Sequence, residues 1–304
     1  MSDTASNDPK PSGLPAALSA YMIWGFMPLY IALVSSVPPF EFVGWRIIWT
    51  LPVCLLIVAV RRQFSELRRA FSSPKSVLAL FASATLIAVN WFIYTWAIMQ
   101  NQVYATSLGY YLNPLLNVLL GTLLLGERLS KLQWLAVAIA ALAVAMLSAG
   151  ALTTLWISLS LALSFGLYGM VRKQVNVGSL PGLTIETIIL VPVASVILLW
   201  YATSDQGSAF GSDLELSSLM VFSGVVTAIP LLLFAIAARR MPYSTLGFIQ
   251  YLAPTIVFLL GLFVFGQQLR TVQLASFLLI WTAIAIFVAD LWWRSRRVKA
   301  TATA

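Results

Sequence analysis

The chain has 304 residues, a formal net charge of +8 and a mean hydropathy of +0.91; 60% of its residues are hydrophobic and only 9% charged. A soluble domain carries about 25% charged residues, so lipid rather than water is the main solvent here. The chain has no histidine, which excludes histidine bases and histidine metal ligands, and its one cysteine, Cys54, excludes an intrachain disulfide.

The N-terminal segment 1–13 is polar and bears Pro, Ser and Asp. It lacks a charged region leading into a short apolar one, so it reads as a disordered tail rather than a signal peptide. Beyond it the sequence is a succession of apolar stretches of about 20 residues, the length that crosses a bilayer core. Backbone groups in lipid must bond to one another, which helices achieve; the roughly ten-residue alternating strands of a barrel are absent. The predicted helices are 14–35, 40–60, 76–98, 104–125, 131–149, 152–172, 182–202, 215–238, 243–265 and 272–293. The connections are short, the longest being 61–75 and 203–214. The expected fold class is therefore an all-α integral membrane protein with ten transmembrane helices.

The basic residues give the topology. With the N-terminus cytoplasmic, the inside segments hold Lys10, Arg61, Arg62, Arg68, Arg69, Lys75, Arg128, Lys131, Arg172, Lys173, Arg239, Arg240, Arg294, Arg296, Arg297 and Lys299, which is 16 of the 18 Lys and Arg. Outside loops hold Arg270, and Arg46 lies within a helix. This asymmetry obeys the positive-inside rule and supports the helix count, since one missed helix would scramble it. The charge of +8 is thus a topology signal and an attraction to anionic lipid, not a nucleic-acid patch.

The chain also repeats itself. Tyr111, Leu112, Pro114, Leu119, Leu120, Gly121, Gly126, Leu129 and Gln133 are each identical to the residue 140 positions later. The same offset pairs Arg46 with Glu186 and Asn90 with Pro230; in the first helices Trp24-Gly25 aligns with Tyr168-Gly169 at a slightly different offset. Five helices per copy is an odd number, so the copies run in opposite senses through the bilayer. The expected domains are a cytoplasmic tail 1–13, a first five-helix repeat 14–149, an inverted second repeat 152–293 around a shared central cavity, and a basic cytoplasmic tail 294–304.

Ionised groups inside a membrane are expensive and mark functional sites. Arg46, about six residues or roughly 9 Å below the outer surface, is a candidate cavity cation for a carboxylate or phosphate. Glu186, similarly far from the inner surface, is the proton-coupling candidate, with a structural acceptor as the alternative. The two lie at different depths and need not pair. Tyr110, Tyr111, Asn113, Pro114 and Asn117 on the fourth helix and Gln250, Tyr251 and Pro254 on the ninth either line a substrate path or bond helix to helix. Pro114 and Pro254 are expected to kink those helices and make them movable walls. Trp24, Asn90, Tyr94 and Tyr168 are candidate lining for a flat or apolar substrate.

Other features read as structural. Trp156, Trp200, Tyr201, Trp292 and Trp293 fall at helix ends as interfacial anchors. Gly121, Gly126, Gly261 and Gly266 suit close helix approach. Glu127 beside Arg128, and Asp290 four residues before Arg294, read as exposed surface charge. No paired-carboxylate site, CxxC, Walker loop or GxGxxG unit is present; no enzyme activity, cofactor or metal is expected.

Asn90-Trp91, Ser107–Pro114, Leu125–Arg128, Ser164–Gly169, Ile185–Thr187 and Ser244–Tyr251 together resemble the RarD branch of the EamA-type drug/metabolite transporter superfamily, over about 14–293. The resemblance implies a multi-pass permease of a bacterial inner membrane, an exporter of small organic solutes, in a branch whose name carries a chloramphenicol-sensitivity label. It supplies no binding residues. The expected function is a secondary transporter working by alternating access; the alternative is a lipid-linked flippase or scramblase, with Arg46 meeting a headgroup phosphate. A channel would need a charged ring, and a membrane enzyme would need clustered acid–base residues. The expected partners are a small-molecule substrate and membrane lipid, with no nucleic acid; the sequence does not fix the oligomeric state, a monomer being one option.

Overall fold

The structure, a computed structural model, describes residues 12–100, 102–149, 152–205, 207–266 and 271–302. Most of the tail 1–13, including Lys10, and the loop residue Arg270 lie outside the described residues. Twelve α-helices follow in chain order, with no strand among the described residues: α1 Leu14–Leu33, α2 Pro39–Val60, α3 Phe64–Phe71, α4 Pro74–Met99, α5 Val103–Leu123, α6 Lys131–Ser148, α7 Leu155–Gln174, α8 Ser179–Thr203, α9 Leu214–Arg240, α10 Tyr243–Gln250, α11 Leu252–Phe263 and α12 Thr271–Ala302. Nine spans among the described residues are long and apolar enough to cross a membrane, α10 and α11 forming one of them. The 21-residue α5 is not among those nine; Tyr110, Tyr111, Asn113 and Asn117 make it less apolar than its neighbours.

The helix starts follow from local chemistry. Pro39 and Pro74 stand at first positions, where a missing N–H costs nothing. Ser130 and Gln133 form a reciprocal capping box on α6, with bonds of 3.0 Å each way. The Asp213 carboxylate accepts from the Leu216 N–H (2.8 Å) at the start of α9. Gly126 and Gly266, placed in the sequence reading among close-approach glycines, have open space where a Cβ would be and φ of +67° and +61°. They serve left-handed turns after α5 and α11. Gly121 does sit in a tight approach, 3.1 Å from the Ser244 nitrogen at its would-be Cβ.

The expected connection 61–75 contains a helix, α3. Its Leu67 and Ala70 pack on Val58, Leu80, Val175 and Leu180, while Phe64, Arg68, Arg69 and Phe71 are exposed. An apolar edge with a basic face suits a helix lying at a membrane surface. The ninth expected helix is broken at Tyr251 into α10 and α11, three residues before Pro254, whereas α5 runs unbroken through Pro114.

In the bundle α2 packs against α8 and α9, α4 and α5 against α7, α1 against α9 and α11, α5 against α10, and α6 against α12. Aromatic rings fill the middle: Phe234 lies within 5.1–6.4 Å of Tyr21, Trp24, Phe165 and Tyr168. Apolar surface is left outside, as lipid solvent requires: Leu56, Phe81, Leu123 and Val196 are all exposed.

Candidate functional site

Three groups of polar residues inside the bundle contain the candidate site residues. The first lies toward the end of the bundle that carries the basic loops. Glu186 on α8 and Arg172 on α7 are 2% and 0% exposed, and their Oε1 and Nε atoms are 3.5 Å apart. Ser83 on α4 donates a short hydrogen bond to the same Oε1. Arg172 Nη2 donates to the Ser179 carbonyl (2.8 Å), at the start of α8. Gly182 makes room for the guanidinium: a Cβ on it would fall 1.9 Å from Arg172 Nη1. Glu186 Oε2 and Arg172 Nη1 have no protein partner. Glu186 and Tyr168 line a small cavity of about 20 Å³, with Thr50, Trp91 and Thr187, room for about one water. The sequence counts Arg172, the last residue of the expected helix 152–172, and Lys173 among the inside segments. Both belong to α7, and Arg172 is the buried partner of Glu186.

Around this pair, charged side chains close the basic end. Lys173 Nζ donates to the Ala238 and Met241 carbonyls (3.0 and 2.6 Å) at the end of α9. Arg239 Nη1 donates to the carbonyls of Val175 (2.7 Å) and Val177. These cations satisfy carbonyls that a helix end leaves unpaired. Glu127, expected to be surface charge, instead caps α10: its carboxylate accepts from the Tyr243 and Ser244 N–H groups (2.5 and 2.8 Å) and the Ser244 hydroxyl (2.7 Å). Asp290 is likewise buried. It accepts from Ser130 (2.9 Å) and from Arg294 (2.9 Å), whose side chain alone is exposed. Tyr201, expected in the interfacial belt, is 5% exposed, while Trp200 beside it is 60% exposed; consecutive helix positions point about 100° apart.

The second group is at the crossing of α5 with α10. Gln250 Oε1 accepts from Asn117 Nδ2 (2.9 Å) and from the Tyr21 hydroxyl (3.4 Å). Tyr251 donates to the Tyr111 carbonyl (3.4 Å), and a Cβ on Gly247 would stand 2.8 Å from the Pro114 carbonyl. Four of the expected path residues thus bond helix to helix. Asn113 is 2% exposed, and its Oδ1 and that of Asn117 lack partners.

The third group lies nearer the other end. Arg46 on α2 is half-buried; its Nε donates to Thr227 on α9 (2.9 Å), and its guanidinium sits 5.6 Å from the Phe42 ring and 5.3 Å from the Trp91 ring. Tyr30, Tyr94 and Tyr110 are near enough to interact with its charge. The Tyr94 and Tyr110 rings are 6.0 Å apart, and Tyr110 is 47% exposed. Asn90 is spent on a helix contact, donating to the Leu161 carbonyl (2.9 Å) and Ser164 (3.0 Å). Trp24 and Tyr168 belong to the central ring cluster.

With this geometry in hand, the relatives are informative. The EamA-like transporter family matches residues 11–149. An uncharacterized transporter of Pseudomonas aeruginosa is 44% identical, covering 94% of this chain and 96% of its own. Protein RarD of Escherichia coli (strain K12) is 40% identical, covering 94% of this chain and 97% of its own. A solved crystal structure 19% identical superposes with a TM-score of 0.71 over 90% of this chain and 96% of that chain, which supports the fold alone. A helical multi-pass bundle with polar groups gathered in its interior, and relatives of this kind, define a membrane transporter. Within that class, the chain belongs to the RarD branch of the EamA-like transporters.

Proposed function

We propose that the protein is a secondary transporter that exports small organic solutes across the inner membrane by alternating access, with both termini cytoplasmic. Its frame is two inverted repeats, 14–149 and 152–293. The helix pairing supports this: α1 packs on α9 and α11, while α7 packs on α4 and α5, the partners that the repeat offset exchanges. The pairs α2–α8, α5–α10 and α6–α12 each join a helix to its own copy. Export, rather than uptake, rests on the family resemblance.

One observation carries the mechanism. At the basic end Arg172–Glu186, Lys173, Arg239 and Glu127 tie the helices together, while Arg46 and Tyr110 near the other end are partly exposed. That asymmetry supports reading the structure as one of two alternating states. Protonation of Glu186 removes the charge that holds Arg172, loosening α7 from α8 and unlatching the basic end. Ordered breakage at α10–α11 and flexing of α5 at Pro114 would move the walls.

The test is counterflow in proteoliposomes, across amino acids, amphenicols and small organic acids, with and without a pH gradient. Cysteines at 173 and 241, in a chain with Cys54 replaced, are then joined by a short bis-maleimide. Flux should stop on joining and return when a cleavable linker is cut. Undiminished flux by the joined protein defeats alternating access, and pH-insensitive flux removes Glu186 as the coupling group. A second reading, a lipid flippase, is favoured by the leucine-lined groove of about 410 Å³ along α5 and α7, which includes Leu112, Leu116, Leu119 and Leu163. It predicts movement of labelled lipid between leaflets and no counterflow of soluble solutes.

A further inference from the structure

Arg46 is a membrane cation that its surroundings do not neutralise. Among the described residues the ion pairs are Arg172–Glu186 and Arg294–Asp290. The acid nearest in sequence, Glu41, is committed elsewhere: it accepts from Ser208 (2.5 Å), the Ala209 N–H (2.9 Å) and Trp45 Nε1 (3.2 Å). Arg46 spends Nε on Thr227 and lays its flat face near two rings. Its two terminal nitrogens donate to no protein atom, and they are not buried out of reach. A guanidinium held by one edge, with its remaining donors free, is prepared for a planar, two-oxygen acceptor. A lone charge kept inside a membrane is costly and marks a ligand path.

The surroundings say what else the ligand carries. Trp91 lies 5.3 Å from the guanidinium and also lines the Glu186 cavity, so the two places share a wall. Tyr94 and Tyr110 add two rings beside it. Two ring faces at the cation, Phe42 and Trp91, with two tyrosines close enough to interact with its charge, suit a flat apolar group attached to the anion.

We propose that Arg46, with Trp91, Tyr94 and Tyr110, is the subsite for the carboxylate of a soluble organic anion that bears a flat apolar group. This rests on the transport reading above and specifies the cargo of that site. Thr227 holds the Nε edge, so the terminal nitrogens meet both carboxylate oxygens while Trp91 stacks on the apolar part.

The test measures binding, without flux, by calorimetry on the full chain in detergent. Benzoate and indole-3-acetate are compared with benzamide and indole-3-acetamide, which keep the shape and lose the charge, and with acetate, which loses the ring. The carboxylates should bind about tenfold or more tightly than the amides, and benzoate more tightly than acetate. R46Q should erase the preference for charge, R46K should keep part of it, and W91L should weaken benzoate more than acetate. If R46Q fails to fold, the wild-type carboxylate-to-amide ratio decides alone. Equal binding of amide and carboxylate, or no carboxylate binding, overturns the proposal. So does loss of benzoate binding in phosphatidylglycerol nanodiscs but not in phosphatidylcholine ones, which would assign the site to a lipid headgroup. Carboxylate binding without flux would sink the transport reading and leave the subsite; flux of neutral solutes without carboxylate binding would do the reverse.

Discussion

Arg172 and Arg46 are both arginines within membrane-spanning helices, and their surroundings treat them in opposite ways. Arg172 is fully buried, paired with a Glu186 that Ser83 also bonds and donating to the Ser179 carbonyl, with its guanidinium where a side chain at 182 would begin. Arg46 is half-buried, has a single hydroxyl partner and two ring neighbours, and keeps its terminal nitrogens free. The difference teaches that a membrane charge is not one signal. A charge neutralised on the spot holds helices together; a charge left without a counter-ion is kept for something that arrives.

The comparison breaks most visibly at Glu186. Replacing it with alanine strands Arg172 without its buried counter-ion, and removing one partner of a buried pair costs about 3–5 kcal/mol. E186A should show a large fall in thermal stability in detergent, whereas the double variant R172L/E186L should recover most of it. If E186A melts like wild type, the pair is not a seal and Arg172 belongs with Arg46. A smaller effect of the same kind comes from G182A. The new methyl would meet Arg172 Nη1 at 1.9 Å, and overpacking costs about 1–3 kcal/mol. Because the guanidinium is what must move, G182A should be nearly neutral in the R172L/E186L background; an equal loss in both backgrounds would place the strain elsewhere.

Glu127 comes next. Its carboxylate caps the first turn of α10 with three hydrogen bonds, and loss of a cap costs about 1–2 kcal/mol. E127A should lower stability by that amount and raise hydrogen exchange at Tyr243 and Ser244, with E127Q in between. Unchanged exchange there would return Glu127 to the surface role its sequence context suggests.

These residues also show where the sequence was legible. Hydropathy runs mark the membrane spans because each must be apolar for its whole length, and Arg46 and Glu186 stand out because each is a charge well inside such a run. Arg172 did not stand out. It sits beside Lys173 at the basic end, where topology alone explains a cation, so only the requirement that buried Glu186 have a partner could have pointed to it. Glu127 was hidden for a different reason. The cap it makes reaches across more than a hundred residues to the start of α10, and the local pattern Gly126-Glu127-Arg128 reads as an exposed turn. α3 was hidden because an eight-residue amphipathic helix is too short for a hydropathy run, although Phe64, Leu67, Ala70 and Phe71 keep helical spacing. The capping and pairing partners are tertiary facts, and single-chain periodicity carries the spans but not their pairing.

The smallest expected change in stability is at Arg46 itself, and its sign sharpens the comparison. R46L removes a hydrogen bond to Thr227 and two guanidinium–ring contacts, each worth about 0.5–1.5 kcal/mol. It also removes an uncompensated membrane charge, whose cost is about 2.5–3.5 kcal/mol or more. The two sums nearly cancel, so R46L should melt within about 1 kcal/mol of wild type, on the stabilised side if either, while carboxylate binding is lost. Thermal unfolding of R46L and E186A side by side checks this. A large destabilisation in R46L would mean that Arg46 is a structural clamp like Arg172, and the free donors at its tip would need another explanation. A stable, binding-dead R46L would show the trade that functional sites make, in which the residue that serves the ligand does not serve the fold.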